Sequence, residues 1–250
     1  MSRVADAESP AAPRRSWRDE ANLRWLTGVK GVFDYTFEFP HAAFITADQC
    51  LFHTDSRYLN SFEENTAAGS PWVYDMDEGT IPGWVAGKIA ANKCRVCAVE
   101  DDMQINFYQG IQRGLEDRSV ACMLPLMHDD IRKMRAIKDA EEIELMRHAQ
   151  SITDAAFQHM LGFIKPGMTE KQVRNELENF MFANGADSLA FGSIVASGPN
   201  TANPHAVPSD RVIEKGDFVL MDYGAGYCDY RSDMTRTVVM GEPTQEQLDL

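Results

Sequence analysis

Between Gly216 and Gly241 the chain reads GDFVLMDYGAGYCDYRSDMTRTVVMG, and no other stretch constrains the fold as strongly. The apolar run Phe218–Met221 ends in Asp222, and Asp233 opens the next apolar run, Met234–Met240. Gly224 and Gly226 between them supply the turn geometry that brings two strands back alongside each other. Strands joined this way can set the two carboxylates directly across from one another, with Cβ atoms about 5 Å apart. Two buried carboxylates that close repel, and one of them would ordinarily take up a proton. A pair of divalent cations roughly 3.5–4 Å apart removes that conflict, and oxygen donors of this kind suit Mn, Co, Fe or Zn. On pattern alone a plainer reading is also open, in which Asp222 ends a strand and Asp233 caps a turn, since Asp is frequent in turns.

Upstream, Asp139 with Glu142 and Thr169 with Gln172 have the spacing of capping boxes and predict two helix starts. The first helix presents Ile143, Met146, Ala149, Ile152, Ala156 and Met160 on one face. The second presents Val173, Leu177 and Phe180 and stops near Gly185. Strands are expected at Phe191–Ala196, Phe218–Asp222, Gly226–Tyr230 and Met234–Met240. Nearer the N-terminus, Trp17, Leu23, Trp25 and Leu26 predict a helix ending at Gly28. Strands follow at His41–Thr46 and Cys50–His53, a helix at Tyr58–Thr66, a strand at Trp72–Tyr74, a helix at Ile81–Ala91 and a strand at Arg95–Val99. Strands alternating with helices predict an α/β (α+β) layered fold. Residues 1–16, rich in Ala, Pro, Ser and Arg, read as a disordered leader. Residues 17–132 then form one domain and 133–250 a second.

A net charge of −14 with no cluster of Lys and Arg excludes a nucleic-acid partner, because phosphate binding needs such clusters. No segment approaches the roughly 20 apolar residues of a membrane helix. The N-terminus has no apolar core, and five cysteines are an odd number in a chain too large to need disulfide staples. These features predict a soluble, cytoplasmic protein. Cys94 and Cys97 form a CxxC inside an expected strand, where residues three apart face opposite sides, and read as structural. His148 and His159 read as surface residues of the long helix. His41, His53 and His128 have no partner at ligand spacing. Ser197-Gly198-Pro199-Asn200 followed by Pro204-His205 is a loop able to hold a ligand-facing imidazole, or a surface loop with an incidental histidine.

Taken together, the run IVASGPNTANPHAVPSDRVIEKGDFVLMDYGAGYCDYRSDMTRT resembles the core of the pita-bread metallopeptidases, in the Xaa-Pro aminopeptidase and prolidase branch. MRAIKDAEEIELMRHAQ and IKPGMTEKQVRNELENFMFANGAD are similar to that branch's two leading catalytic-domain helices. RWLTGVKG and LFHTDSRYLN resemble the creatinase-type N-terminal domain, with Ser56 standing where that segment usually has Gly. The resemblance spans residues 17–250. It implies a creatinase-type N-terminal α/β domain followed by the first half of a pita-bread domain.

The resemblance further implies that Asp222 is a metal ligand, that Asp233 bridges two divalent ions, and that His205 binds substrate near the scissile bond. Hydrolysis of the peptide bond before proline in short peptides, by a homodimer, is the expected activity. The family completes its metal site with a His and two Glu further along, and this sequence ends at Leu250 before them. Two Asp against two divalent ions are too few donors for tight binding. Thr244 and Gln247 begin another capping box just before that end, so a truncated form of a longer enzyme is expected. The alternatives are a catalytically inactive pita-bread binding module and a metal-free creatinase-like hydrolase. A methionine aminopeptidase fits less well, since that relative lacks the large N-terminal domain.

Overall fold

The computed structural model describes residues 14–17, 20–29, 41–76 and 79–249. The chain divides into two compact units between Ile137 and Lys138. A boundary at Lys133 would cut helix α5 (Asp130–Ala136), whose Ile131 is buried in the core of the first unit.

The first unit is built on one mixed five-stranded sheet. Its strands are β1 (Arg14–Trp17), β2 (Ala42–Ile45), β3 (Cys50–His53), β4 (Trp72–Asp75) and β5 (Cys97–Val99), in the order β4-β3-β2-β1-β5. β1 pairs antiparallel with β2 and parallel with β5, so residues 14–16 belong to a sheet and not to a disordered leader. Residues 1–13 lie outside the described residues. Alternation along the strands divides the apolar side chains between two faces. Ala43, Phe52, Trp72 and Ala98 pack with Leu23 and Leu26 of α1 (Glu20–Thr27), Phe62 of α2 (Leu59–Asn65) and Ile131 of α5. Ala42, Phe44 and Cys97 pack on the opposite face with α3 (Ile81–Ala91) and α4 (Ile105–Asp117). Cys94 precedes the strand and is buried in this same cluster, so the two cysteines do not face opposite sides as expected. His41 sits among Phe52, Tyr58 and Phe62, and His53 lies against Trp84.

The second unit begins with two helices, α6 (Ala140–Phe163) and α7 (Glu170–Ala183). Both expected capping boxes form. Glu142 N donates to Asp139 Oδ1 at 2.9 Å and Asp139 N to Glu142 Oε2 at 2.8 Å. The Thr169 and Gln172 pair repeats the arrangement at 3.2 and 2.9 Å. Each box satisfies two backbone donors that a helix start otherwise leaves open. The buried face of α6 differs from the expected one in its first turns. Glu142 turns inward and accepts a hydrogen bond from Tyr230 Oη at 2.7 Å, while Ile143 and Met146 stay more than a third exposed, at 40% and 37%. Beyond that point Ala149, Ile152, Ala156 and Met160 are buried as expected, joined by Thr153.

Two three-stranded sheets follow. One contains β6 (Ser188–Leu189), β9 (Ala225–Tyr227) and β10 (Tyr230–Arg231) in the order β10-β9-β6. The other contains β7 (Ile194–Ser197), β8 (Phe218–Tyr223) and β11 (Met234–Val239) in the order β11-β8-β7. Val219, Met221 and Tyr223 point into a core shared with Ile152, Met160, Val173, Leu177 and Met181, while Phe218, Leu220 and Asp222 are half-buried on the other face. The strand expected at Gly226–Tyr230 is in fact a hairpin. Cys228 and Asp229 have φ of 46° and 69°, the left-handed pair of a two-residue turn that reverses the chain between β9 and β10. Among the described residues, no helix is long and apolar enough to cross a membrane.

Candidate functional site

The register of β8 against β11 fixes where the two aspartates stand. Asp222 pairs with Thr235 and Tyr223 with Met234. Asp233 is two residues before Thr235, and burial alternates from Ser232 to Thr235, so Asp233 and Thr235 share a face with Asp222. The two residues are therefore diagonal neighbours, a relation in which Cβ atoms typically stand about 7 Å apart, and not the directly opposed pair expected from the sequence. The premise that both are buried is also corrected: Asp222 is half-buried and Asp233 exposed. The reason is that Gly224 does not close a tight turn between β8 and β11. The β9–β10 hairpin is inserted there, and Thr235 takes the place opposite Asp222. Its hydroxyl donates to Asp222 Oδ1 at 2.8 Å, orienting that carboxylate.

A buried neck holds the start and end of the inserted hairpin together. Ala225 N donates to Ser232 Oγ at 2.9 Å and to Thr153 Oγ1 at 3.1 Å, and the two hydroxyls are 2.6 Å apart. Ser232 N donates in turn to Ala225 O at 3.0 Å. Gly224 is required at this neck because a Cβ there would stand 2.0 Å from the carbonyl oxygen of Ser232. The neck thus ties Asp233, one residue on, to helix α6 through Thr153.

His205 is exposed on the loop that follows β7. Asn203 N donates to Asn200 O and Ala206 N to Asn203 O, both at 3.1 Å, placing Pro204 and His205 at the centre of a four-residue turn. Proline favours the first central position of such turns because its φ is already set. Among the described residues no hydrogen bond joins His205 to either aspartate. The structure sets Asp222 and Asp233 on one sheet face and His205 on a separate element.

The stems of that loop are fixed by a residue that the sequence pattern does not single out. Glu170, at the first position of α7, is fully buried. Its Oε1 accepts from Ser197 N (2.7 Å), Ser197 Oγ (2.9 Å) and Asn200 Nδ2 (3.0 Å), and its Oε2 from Ser209 N (3.0 Å) and Ser209 Oγ (2.6 Å). Burial pushes this carboxyl's pKa up, but the bonds from Ser209, Asn200 and Ser197 outweigh it and hold the group below its ordinary value. Arg211 extends the network, donating to Ser197 Oγ at 2.7 Å and to Asp217 Oδ2 at 2.6 Å. The guanidinium in turn holds Asp217 below the usual carboxylate range.

A carboxylate with a lowered folded pKa stabilises the protein above its unfolded value, about 4.3 for Glu, and that contribution is lost as pH falls through the folded value. Glu170→Gln is therefore expected to flatten the low-pH limb of a plot of thermal midpoint against pH. An unchanged slope below pH 4 would contradict the assignment.

Asp222 and Asp233 are hard oxygen donors offered from one sheet face, the donor type that divalent cations take. Among the described residues no group of three or more His, Cys, Asp or Glu is arranged to hold a metal by itself. His148 is exposed with its ring 4.0 Å from Tyr227. His159 corrects the expectation of a surface residue: it is half-buried, its Nε2 lies 2.7 Å from Glu176 Oε1, and its ring stacks on Phe180.

Comparison with known proteins points in one direction. Residues 18–137 match the sequence model of the creatinase/prolidase N-terminal domain, and residues 144–250 that of metallopeptidase family M24. An uncharacterized peptidase of Bacillus subtilis, YqhT, is 35% identical over 232 residues, covering 90% of this chain and 60% of that protein. The Xaa-Pro dipeptidase of Pyrococcus furiosus is 43% identical over 122 residues, 49% of this chain and 35% of its own length. Among solved structures, the Xaa-Pro dipeptidase from Bacillus anthracis superposes with a TM-score of 0.83 at 32% identity, over 94% of this chain and 62% of that one. This chain thus spans about three fifths of the length of the B. subtilis and B. anthracis proteins.

Proposed function

Because the chain belongs to the M24 metallopeptidases, with a creatinase/prolidase-type domain ahead of the metallopeptidase part, we propose that it serves metal-dependent hydrolysis of the peptide bond preceding proline in short peptides. The observation that carries this is the pair of aspartates on one sheet face, Asp222 on β8 braced by the Thr235 hydroxyl and Asp233 directly before β11 beside the Ser232 neck. Relatives named as Xaa-Pro dipeptidases support the choice of substrate. The proposal extends to a cytoplasmic homodimer that uses two ions drawn from Mn, Co, Fe or Zn.

Divalent ions, when bound, supply Lewis acidity toward the scissile carbonyl and lower the pKa of water. The residues of this chain have separate tasks. Asp222 would be one of the carboxylates holding a cation, and the Thr235 hydroxyl, donating to its Oδ1, orients it on the sheet face. Asp233, exposed beside it, contributes the second carboxylate. His205, carried forward on its turn, offers an imidazole that can donate a hydrogen bond to the substrate carbonyl and to the oxyanion that develops there.

The test is hydrolysis of Gly-Pro and Ala-Pro against Ala-Ala by the protein made from its own gene, with and without chelator. Cleavage confined to the proline substrates, abolished by EDTA and restored by Mn²⁺, is the expected result. Hydrolysis indifferent to EDTA would favour a metal-free creatinase-like hydrolase. Absence of hydrolysis together with absence of Mn²⁺ binding would favour a binding module.

A further inference from the structure

We propose that Glu170 is the positioning residue for His205, setting the imidazole's place from helix α7 through both stems of the Ser197–Ser209 loop. The proposal rests on the assignment of His205 as a substrate-binding group.

An acidic residue in the first turn of a helix ordinarily serves the helix itself, either by charge or by accepting from its N–H groups. The Glu170 carboxylate accepts from no N–H group of its own helix. All five donors to its carboxylate come from the loop, Ser197 and Asn200 on one stem and Ser209 on the other. The hydroxyl protons of both serines are committed to Glu170, so their lone pairs are left to accept, and Arg211 supplies the donors: its guanidinium to Ser197 Oγ and its backbone N–H to Ser209 Oγ at 3.1 Å. Each stem therefore reads from Arg211 through a serine to one oxygen of the same buried carboxylate. Backbone bonds reinforce the attachment, from Glu170 N to Arg211 O and from Lys171 N to Ser209 O.

The approach of the guanidinium depends on Gly198. At its φ of 49° a Cβ would stand 2.5 Å from Arg211 Nη2 and 2.6 Å from Asp217 Oδ1. Between the stems, the turn carrying His205 is closed by two local backbone bonds, from Asn203 N to Asn200 O and from Ala206 N to Asn203 O, and Ala202–His205 are exposed. Fixing both ends to helix α7 limits how far the intervening segment, and with it the backbone that carries the imidazole, can move. That is how a group on a loop acquires the precision that catalysis requires.

Glu170→Gln places an NH₂ group where one stem's donors converge, so one attachment is lost while size and shape are kept. The expected result is a fall in kcat/KM for Xaa-Pro substrates of up to on the order of 100-fold. The His205 imidazole resonance should shift and broaden in the substrate-free protein, identified among the six histidines by its absence from His205→Ala. In the His205→Ala background Glu170→Gln should lower kcat/KM no further, because the two act as one unit. An equal loss in both backgrounds, or an unmoved His205 resonance, would overturn the proposal. If His205→Ala alone leaves hydrolysis intact, the role of His205 fails, and the resonance still decides whether Glu170 sets its position. Should Glu170→Gln not fold, Ser209→Ala removes a single hydroxyl from one stem, and the same resonance and double-variant comparisons apply to it with smaller shifts.

Discussion

Asp222→Asn is expected to weaken Mn²⁺ binding by at least the roughly 100-fold that loss of a partner outside the coordination sphere can cost, and to abolish Xaa-Pro hydrolysis with it. Stability should hardly change. Asp222 is half-buried, and its carboxylate accepts from the Thr235 hydroxyl, a bond that an asparagine carbonyl can accept as well. A substitution that removes charge but keeps shape and partner falls within about 0.5 kcal/mol of neutral. Calorimetric titration of Mn²⁺ into the wild type and the variant, alongside thermal unfolding without metal, separates the two effects. Equal affinity in both proteins would remove Asp222 from the metal site and withdraw the main support for a metallopeptidase.

Gly224→Ala is expected to be the most destabilising single-methyl addition in the second unit. Its Cβ would meet the Ser232 carbonyl oxygen at 2.0 Å and the carbonyl carbon at 2.8 Å, both backbone atoms of the neck. Neither can move without separating the Ala225 and Ser232 hydrogen bonds. The cost should reach or exceed the roughly 3 kcal/mol upper end of ordinary overpacking, a fall in Tm on the order of 10 °C for a unit of this size. Metal affinity should fall as well, because Asp233 adjoins the displaced residue. Gly226→Ala is the natural control. Its Cβ would stand 2.3 Å from Ser188 Oγ, the end of a side chain that can rotate aside, so a smaller loss is expected. Thermal melts of the two variants check the contrast, and equal Tm values would show that the neck yields.

What the sequence made legible was local. The capping boxes at Asp139, Thr169 and Thr244 form as their spacing predicts, because each depends on residues three apart. Helix α3 runs over the expected Ile81–Ala91, with Thr80 accepting from Gly83 N at its start. Helix α4 has no such signal. Its buried positions Phe107, Ile111 and Leu115 are spaced four apart, but Gly110 and Gly114 interrupt them with the poorest helix formers after proline. Their use becomes visible only in the folded chain, where a Cβ on either would stand 2.8 Å from Pro82 or Ala86 of α3.

The candidate site shows the same division. Asp222, Asp233 and His205 lie on motifs that can be read in order along the chain. The diagonal relation of the aspartates depends on the hairpin inserted between their strands. Glu170 reads as one more acidic residue at a helix start, because its carboxylate partners lie 27 to 39 positions away. Strand β1 was hidden for a related reason: a four-residue strand paired on both sides is held by its backbone and needs no apolar period of its own.

The β9–β10 hairpin has one more consequence, for how such chains can vary. Along the backbone it separates the two aspartates, yet their separation in space is set where Gly224 and Ser232 meet. Residues added in pairs at the Cys228–Asp229 tip would lengthen the hairpin and leave both carboxylates where they are. A single residue added between Ser232 and Asp233 would turn Asp233 to the opposite side of the sheet. The number of residues from one aspartate to the other is therefore a free variable, and a search that demands a fixed count between them would pass over chains that build the same pair around a longer or shorter hairpin.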